Sequence, residues 1–298
     1  DEIIAAGSNV FFKAYEATNG NEIWKSDGTT VGTSVVKDIY PGTFGSSPDY
    51  ITAINNKVYF AANDGTNGNE LWVSDGTTGG TSLIKDIETG VGSGMPEYLV
   101  NINDTVYFYA YKAGSGEELW KSDGSLAGTV MVKDINSGGG GSLWSGEMKN
   151  INGKLYFAPQ ISSTTGVEPW ISNGTSANTM LLKDVNATCT TGCGSNVNSF
   201  IYANGLTFFT ASNGVNGFEL WASNGTTAGT YLVKDINPGS NSGCQSWWNN
   251  GCMSSCSYNI ATLNTEVLFL GNDGTGTGNE LWKSDGTSGG TVLVKDIN

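Results

Sequence analysis

The chain of 298 residues contains no histidine and no arginine, so that all 14 of its basic residues are lysines. This excludes a zinc site built on imidazole, a nucleophile activated by histidine, and an arginine clamp on a carboxylate or phosphate. The 28 acidic residues give a formal net charge of −14, which repels nucleic acid and anionic membrane surfaces. The expected partners are therefore a cation, a neutral glycan or a protein.

Long apolar runs are also missing. No stretch of 18 apolar residues occurs, which predicts no membrane insertion. The N-terminal sequence DEIIAAGSNVFF lacks the basic and then apolar pattern of a signal peptide, so a secreted protein would already have lost its signal. In contrast, 43 glycines with 38% hydrophobic and 11% aromatic residues favour an all-β fold with many tight turns.

Cysteine is confined to two loop-like segments rich in glycine, serine and asparagine. Clustered loop cysteines without histidine favour disulfides over a metal site, and hence an oxidising compartment. Because their number is odd, one thiol is free, pairs with another chain, or has a partner outside this sequence. The five disulfide candidates are Cys189, Cys193, Cys244, Cys252 and Cys256.

One sequence of about twenty residues occurs six times, for example GNELWVSDGTTGGTSLIKDI at 68–87. Each unit contains four short strand patterns, and such a meander needs neighbours to cover its faces. Six stacked units predict a six-bladed β-propeller of four-stranded antiparallel blades, closed without strand exchange between the termini. The predicted blades of this single domain, 1–298, are approximately 1–40, 41–88, 89–136, 137–186, 187–237 and 238–298.

The repeated motif E-L-W-x-S-D-G-T-x-x-G-T-x-L-V-K-D-I resembles the ELWxxDGT repeat of secreted and cell-surface proteins, mainly bacterial. The resemblance covers all six units. It implies a secreted or cell-surface location, and it implies no particular reaction. The motif departs from this pattern at Asn173 and Asn224, where asparagine replaces the aspartate.

The recurrent glutamate, lysine and tryptophan are interpreted as scaffold residues. Folding the last two strands of the first unit about its turn is expected to bring Glu22 close to Lys37, and Trp24 close to Val36. A cross-strand ion pair and a packed ring of this kind would fix the sheet register in every unit.

Calcium is a candidate cofactor, because of the pattern NDGTNGNE and its counterpart in the sixth unit. Oxygen ligands around glycines suit a hard cation. The alternative is a plain glycine-rich turn. The four candidate ligands are Asp64, Glu70, Asp273 and Glu280.

Aromatic residues outside the repeat predict a ligand platform on the longest segments between units. Rings among asparagine, glutamine and serine suit a glycan or a protein surface. The alternative is a structural lid over the fifth unit. The candidates are Trp144, Trp247, Trp248 and Tyr258.

The leading functional prediction is a non-catalytic extracellular binding or adhesion module, whose ligand is a glycan or a cell-surface protein. A structural subunit of a cell-surface filament or sheath is one alternative, in which the chain would form a homo-oligomer or fibre. A carbohydrate-active enzyme is another, because glycosidases need only two carboxylates. Asp49, Glu97 and Glu147 lie in or beside segments between units.

Overall fold

The computed structural model describes residues 3–137, 148–161, 166–188, 194–239, 260–275 and 278–297. These residues form strands and turns and no helix. They contain six four-stranded antiparallel sheets, each built from one stretch of the chain, and one two-stranded ribbon. The prediction of an all-β fold of four-stranded units is confirmed. None of the described residues forms a helix long and apolar enough to cross a membrane.

The chain divides into two compact units, Asp1–Gly141 and Ser142–Asn298. The N-terminal unit holds three sheets. The first is β1 (Ile3–Ala6), β2 (Asn9–Glu16), β3 (Gly20–Ser26) and β4 (Ser34–Val35). The second is β5 (Asp49–Ile54), β6 (Lys57–Asn63), β7 (Asn69–Ser74) and β8 (Ser82–Lys85). The third is β9 (Glu97–Ile102), β10 (Thr105–Lys112), β11 (Gly116–Ser122) and β12 (Val130–Lys133).

The C-terminal unit holds the other three sheets and the ribbon. The fourth sheet is β13 (Met148–Ile151), β14 (Lys154–Phe157), β17 (Trp170–Ser172) and β18 (Met180–Leu181), and the ribbon is β15 (Gln160–Ile161) with β16 (Gly166–Val167). The fifth sheet is β19 (Asn198–Ala203), β20 (Leu206–Ser212), β21 (Phe218–Ser223) and β22 (Thr230–Lys234). The sixth is β23 (Ile260–Leu263), β24 (Glu266–Gly271), β25 (Glu280–Ser284) and β26 (Val292–Lys295).

The core of each unit lies between successive sheets. In the N-terminal unit, one apolar cluster around Phe60 joins the first and second sheets, and another around Phe108 joins the second and third. In the C-terminal unit, Phe209 and Phe269 belong to the corresponding clusters. Each of these rings is at most 2% exposed. Burial of apolar surface between neighbouring sheets therefore holds each unit together.

The polar residues that recur in the motif form the turn between the third and fourth strands of each sheet. Asp75 Oδ1 accepts hydrogen bonds from Thr77 N at 2.8 Å and from Thr77 Oγ1 at 2.7 Å. Gly76 has a φ of 86° and donates its N–H to Ser74 Oγ. Asparagine makes the same bond as aspartate, because only a side-chain oxygen is needed. The equivalent acceptors are Asp27, Asp123, Asn173, Asn224 and Asp285.

The recurrent lysine connects each sheet to the next one within a unit. Lys37 Nζ donates to the Thr81 carbonyl at 2.8 Å and lies 5.7 Å from the centre of the Trp72 ring. Lys234 does the same in the C-terminal unit, at 2.8 Å from the Thr291 carbonyl. A buried carbonyl and an aromatic face together stabilise the ammonium group.

The predicted Glu22 to Lys37 ion pair is therefore wrong. Lys37 reaches the second sheet, while the Glu22 side chain is 0% exposed and accepts hydrogen bonds from backbone N–H groups. The physical reason is that β4 ends at Val35, which pairs with Trp24 in place of the expected Val36, so the ladder stops before Lys37 is reached. In the later sheets a register shift beside the tryptophan places the lysine opposite the leucine that precedes the tryptophan, and not opposite the glutamate.

The sixth sheet has an outer apolar face that is not covered. Val294 is 47% exposed and Ile297 is 68% exposed. The residues at the same repeat positions in the fifth unit, Val233 and Ile236, are 4% and 5% exposed.

A candidate site of carboxylates and tyrosines

Several residues predicted from the sequence lie outside the described residues. They are the aromatic platform of Trp144, Trp247, Trp248 and Tyr258, the five cysteines, and Glu147. The glycan or protein platform and the disulfides stay predictions.

The four calcium candidates are not brought together as a ligand set. Asp64 Oδ1 accepts the N–H groups of Thr66 and Asn67 at 2.8 and 2.7 Å, as a turn requires. Glu70 is 0% exposed and bonds to backbone N–H groups of the segment before β9. Among the residues that the structure describes, no group of three or more acidic or cysteine side chains could hold a metal. These residues fit the glycine-rich turn, and calcium binding stays a prediction.

The sixth unit repeats this arrangement. Asp273 Oδ1 accepts hydrogen bonds from Thr275 N at 3.0 Å and Thr275 Oγ1 at 2.6 Å. Glu280 is 3% exposed, and its Oε2 accepts the Ile297 N–H at 2.8 Å. The two carboxylates therefore take part in separate local hydrogen bonds.

A different set of side chains meets at the start of β5 and β9. Asp49 and Glu97 are the first residues of these strands, and a tyrosine follows each. The pairing with the next strand shifts register directly after them, which is a β-bulge. Tyr50 and Tyr98 lie at these bulges with φ of 52° and 54°. Positive φ is rare for an aromatic residue, so the surrounding structure must hold this backbone in place.

Three tyrosine rings form a row beside the carboxylates. The rings of Tyr50 and Tyr98 are 5.4 Å apart and tilted by 46°. Tyr98 meets Tyr109 of β10 edge to face at 6.3 Å. Tyr98 is 37% exposed and Tyr109 is 2% exposed, so the row runs from the surface into the third sheet.

The carboxylates of this region act on one another. Burial first, and then the negative charge of Asp49, raises the pKa of Glu97, while a hydrogen bond from the Tyr50 hydroxyl opposes the rise. Burial and then the charge of Glu97 raise the pKa of Glu117. Burial, followed by the charges of Glu97, Tyr98 and Asp49, raises the pKa of Tyr50 to about 12. We call Asp49, Tyr50, Glu97, Tyr98, Tyr109 and Glu117 the acid-tyrosine cluster.

The arrangement is chemically suited to a cation. A negative charge that raises the pKa of a neighbouring carboxyl, as that of Asp49 does for Glu97, is offset when a positive group enters. The faces of tyrosine rings also attract cations, by about 0.5 to 2 kcal/mol per contact. An aliphatic stem or a flat guanidinium can pack on the rings while its charge meets Asp49 or Glu97.

The fifth sheet has the same backbone with different side chains. Asn198 begins β19, the register shifts directly after it, and Ser199 has a φ of 62°. An amide and a hydroxyl therefore stand where the second and third sheets have a carboxylate and a phenol ring. The bulge belongs to the scaffold, and the charge belongs to the N-terminal unit.

Sequence reasoning found part of this cluster. The sequence pointed to Asp49, Glu97 and Glu147 as carboxylates in or beside segments between units and marked no pair among them, and the structure brings Asp49 and Glu97 together. Tyr50, Tyr98, Tyr109 and Glu117 were missed. The available signal was the tripeptide of proline, acid and tyrosine that occurs at the same place in the second and third units.

No protein-family model matches the chain, and no curated protein does. Solved structures do. Oligopeptidase B from Leishmania major is 10% identical with a TM-score of 0.48, over 98% of this chain and 40% of that one. A puromycin-hydrolyzing peptidase from Mycobacterium tuberculosis is 11% identical with a TM-score of 0.48, over 100% of this chain and 45% of that one. The chain thus spans less than half the length of these peptidases.

The β-propeller domain of the Trilobed protease from Pyrococcus furiosus, which has an open velcro topology, is also similar. It is 13% identical with a TM-score of 0.42, over 100% of this chain and 84% of that one. The similar structures are thus peptidases and a protease domain, so the prediction of a non-catalytic extracellular binding or adhesion module is wrong. Its alternatives, a filament subunit and a carbohydrate-active enzyme, find no counterpart among these structures.

Proposed function

We propose that this chain is a propeller domain that works with a peptidase and holds lysine- or arginine-bearing segments of polypeptide at the acid-tyrosine cluster. The observation that carries the proposal is the meeting of Asp49 and Glu97 with the rings of Tyr50 and Tyr98. The similar peptidase structures motivate the choice of protein class, and the cluster supports the choice of ligand.

The side chain of a basic residue matches the cluster in both of its parts. Its charged end offsets the repulsion between Asp49 and Glu97, and its carbon stem covers the exposed part of Tyr98. The net charge of −14 adds a long-range attraction for cationic chains, which salt weakens. A bare divalent cation uses the carboxylates but gains nothing from the rings, because it needs six or more oxygen ligands.

The test is a calorimetric titration with two peptides that differ only in lysine against glutamine. We expect the lysine peptide alone to bind. The variant Asp49→Asn/Glu97→Gln should weaken binding at least tenfold, about 1.4 kcal/mol. The control Asp75→Asn/Asp123→Asn removes the same two charges from exposed turns, where other repeats already carry asparagine.

Three results would overturn this function. Equal binding of both peptides would show that the positive charge of lysine is not recognised. An equal loss in the control variant would reduce the effect to net charge. Calcium that binds at the cluster more tightly than the peptide would replace polypeptide by a metal ion as the ligand.

We also propose that the six sheets form a six-bladed propeller closed without strand exchange. Support comes from the repeated lysine contact between successive sheets, and from sheets that each use one stretch of the chain. The exposed face of Val294 and Ile297 is suited to receive a further sheet. Small-angle X-ray scattering tests closure, for which we expect a radius of gyration of about 19 Å. A clearly larger value would contradict it.

A further inference from the structure

A buried glutamate fixes the segment that leads into β9. Glu70 of β7 is 0% exposed. Its carboxylate accepts the N–H of Ile87 at 3.0 Å, of Glu88 at 3.2 Å and of Gly94 at 2.7 Å. One side chain thus ties both ends of the segment 87–94 to the second sheet, just before Glu97 and its neighbouring tyrosine begin the third.

Backbone contacts complete this attachment. Met95 N donates to the Asn69 carbonyl at 2.9 Å, and Tyr111 N donates to the Gly94 carbonyl at 2.7 Å. A Cβ atom at Gly94 would lie 2.6 Å from Glu70 Oε2, so glycine is needed for the close approach. The segment is therefore held between β7 and β10. Met95 and Tyr98, which follow, have positive φ of 46° and 54°.

The first sheet holds the segment before β5 in the same way. Glu22 accepts the N–H of Tyr40 at 3.1 Å and of Ser46 at 2.8 Å, and also the Ser46 hydroxyl. Ser47 N donates to the Asn21 carbonyl at 2.9 Å. Ser47 has a φ of 48°, three residues before the bulge at Tyr50.

We propose that Glu22 and Glu70 are positioning residues of the acid-tyrosine cluster, which hold the two bulges so that the Tyr50 and Tyr98 rings face the carboxylates. The inference rests on the proposed function, because ligand affinity is its readout. The strained tyrosine backbones relax when their segments are released, since positive φ persists only where the surroundings impose it. Neither glutamate touches the ligand.

The C-terminal unit supplies a matched control. Glu168 is also 0% exposed. It accepts the N–H of Val185 at 2.9 Å and of Asn186 at 3.2 Å, and the Ser195 hydroxyl at 2.7 Å. Its segment leads to Asn198, which begins β19 without a carboxylate or an aromatic neighbour. Loss of Glu168 therefore has the same structural cost and no consequence for the cluster.

The experiment compares Glu70→Gln, Glu22→Gln and Glu168→Gln in the full chain. We expect the first two to weaken lysine-peptide binding at least fivefold and to change the near-ultraviolet circular dichroism of the tyrosines. Glu168→Gln should lower the melting temperature by a similar amount and leave affinity unchanged. If Glu70→Gln does not fold, Gly94→Ala displaces the same carboxylate and takes its place.

The outcomes separate the two proposals. Wild-type protein that fails to bind the peptide contradicts the proposed function, and with it this inference. Wild-type protein that binds, together with unchanged affinity in both Glu22→Gln and Glu70→Gln, overturns the positioning role alone. Equal weakening by Glu168→Gln also overturns it, because the effect would then follow general stability.

Discussion

The third and fifth sheets use one backbone design for two different surfaces. In both, a buried glutamate of the preceding repeat holds a segment, and the next strand opens with a bulge at positive φ. The third sheet places Glu97 and Tyr98 there, and the fifth places Asn198 and Ser199. The comparison teaches that the buried glutamate and the bulge belong to the scaffold, while the side chains at the bulge determine the charge and the aromatic character of the surface.

Exchange of the bulge residues is expected to have the largest effect. Glu97→Asn/Tyr98→Ser gives the third sheet the residues of the fifth. Loss of one charge and one ring should weaken lysine-peptide binding about a hundredfold, or about 2.7 kcal/mol. Calorimetry checks this, and circular dichroism should show an unchanged strand content. Retained affinity would place the ligand elsewhere.

Removal of the buried carboxylates of Glu70 and Glu168 should lower the stability of the protein by similar amounts. Glu70→Gln and Glu168→Gln each leave buried N–H groups with a poorer acceptor, which costs about 1 to 3 kcal/mol. Urea unfolding measures both variants. A loss of stability in only one of the two variants would contradict the claim that the two glutamates have equivalent structural roles.

The same glutamates predict a dependence of stability on pH. Burial raises the pKa of Glu70 and of Glu168 to about 7, against an ordinary value of 4.5. The folded state then binds more protons than the unfolded state, so this contribution is complete below pH 4.5 and is lost as the pH rises through about 7. We expect the melting temperature to fall between pH 5 and pH 8.

Glu70→Gln/Glu168→Gln should flatten this slope. The turn carboxylates Asp27 and Asp75 have lowered pKa values, because hydrogen bonds from threonine favour their charged form. They titrate below this window and leave the slope intact. A slope that is unchanged in the double variant would contradict the assignment.

The lysine contacts should contribute similarly to the free energy of unfolding in both units. Lys85 donates to the Thr129 carbonyl and Lys183 to the Thr230 carbonyl, both at 2.8 Å. Lys→Met at either position keeps the stem and loses the charged hydrogen bond, for a cost of about 1 kcal/mol. Thermal unfolding of the two single variants provides the measurement. If neither substitution changed the stability, the lysine contact would be only a consequence of the packing of the sheets.

The turn residue should have the smallest effect. Asp75→Asn and Asn173→Asp exchange the acceptors of equivalent turns, whose bonds are alike. Each substitution should change stability by less than about 0.5 kcal/mol. A large loss in either variant would show that the aspartate has a task beyond the turn.

The sequence predicted the repeated part of the fold for a physical reason. Alternating apolar residues, glycines and turn residues act locally, so the four strands of each sheet and the turn at Asp75 could be read directly. The partner of Lys37 could not, because it lies in the next sheet and β4 ends before Lys37. The spacing of residues within one repeat does not predict which residues of neighbouring repeats are in contact.

The candidate site was predictable only in two of its three carboxylates, Asp49 and Glu97. Asp49 and Glu97 are 48 residues apart and meet because successive sheets pack side by side. The roles of Tyr50 and Tyr98 depend on a bulge and a positive φ, which no residue preference indicates for tyrosine. The calcium candidates failed to converge for a related reason, since Glu70 points into the protein to hold a segment.

The most direct test of the central claim is a nuclear magnetic resonance titration with the lysine peptide. We expect shifts at Tyr50, Glu97 and Tyr98, and none at Asn198 or Ser199, where the same backbone carries no charge. Shifts at the fifth sheet of equal size, or none at the tyrosines, would contradict the claim that the acid-tyrosine cluster is the binding site.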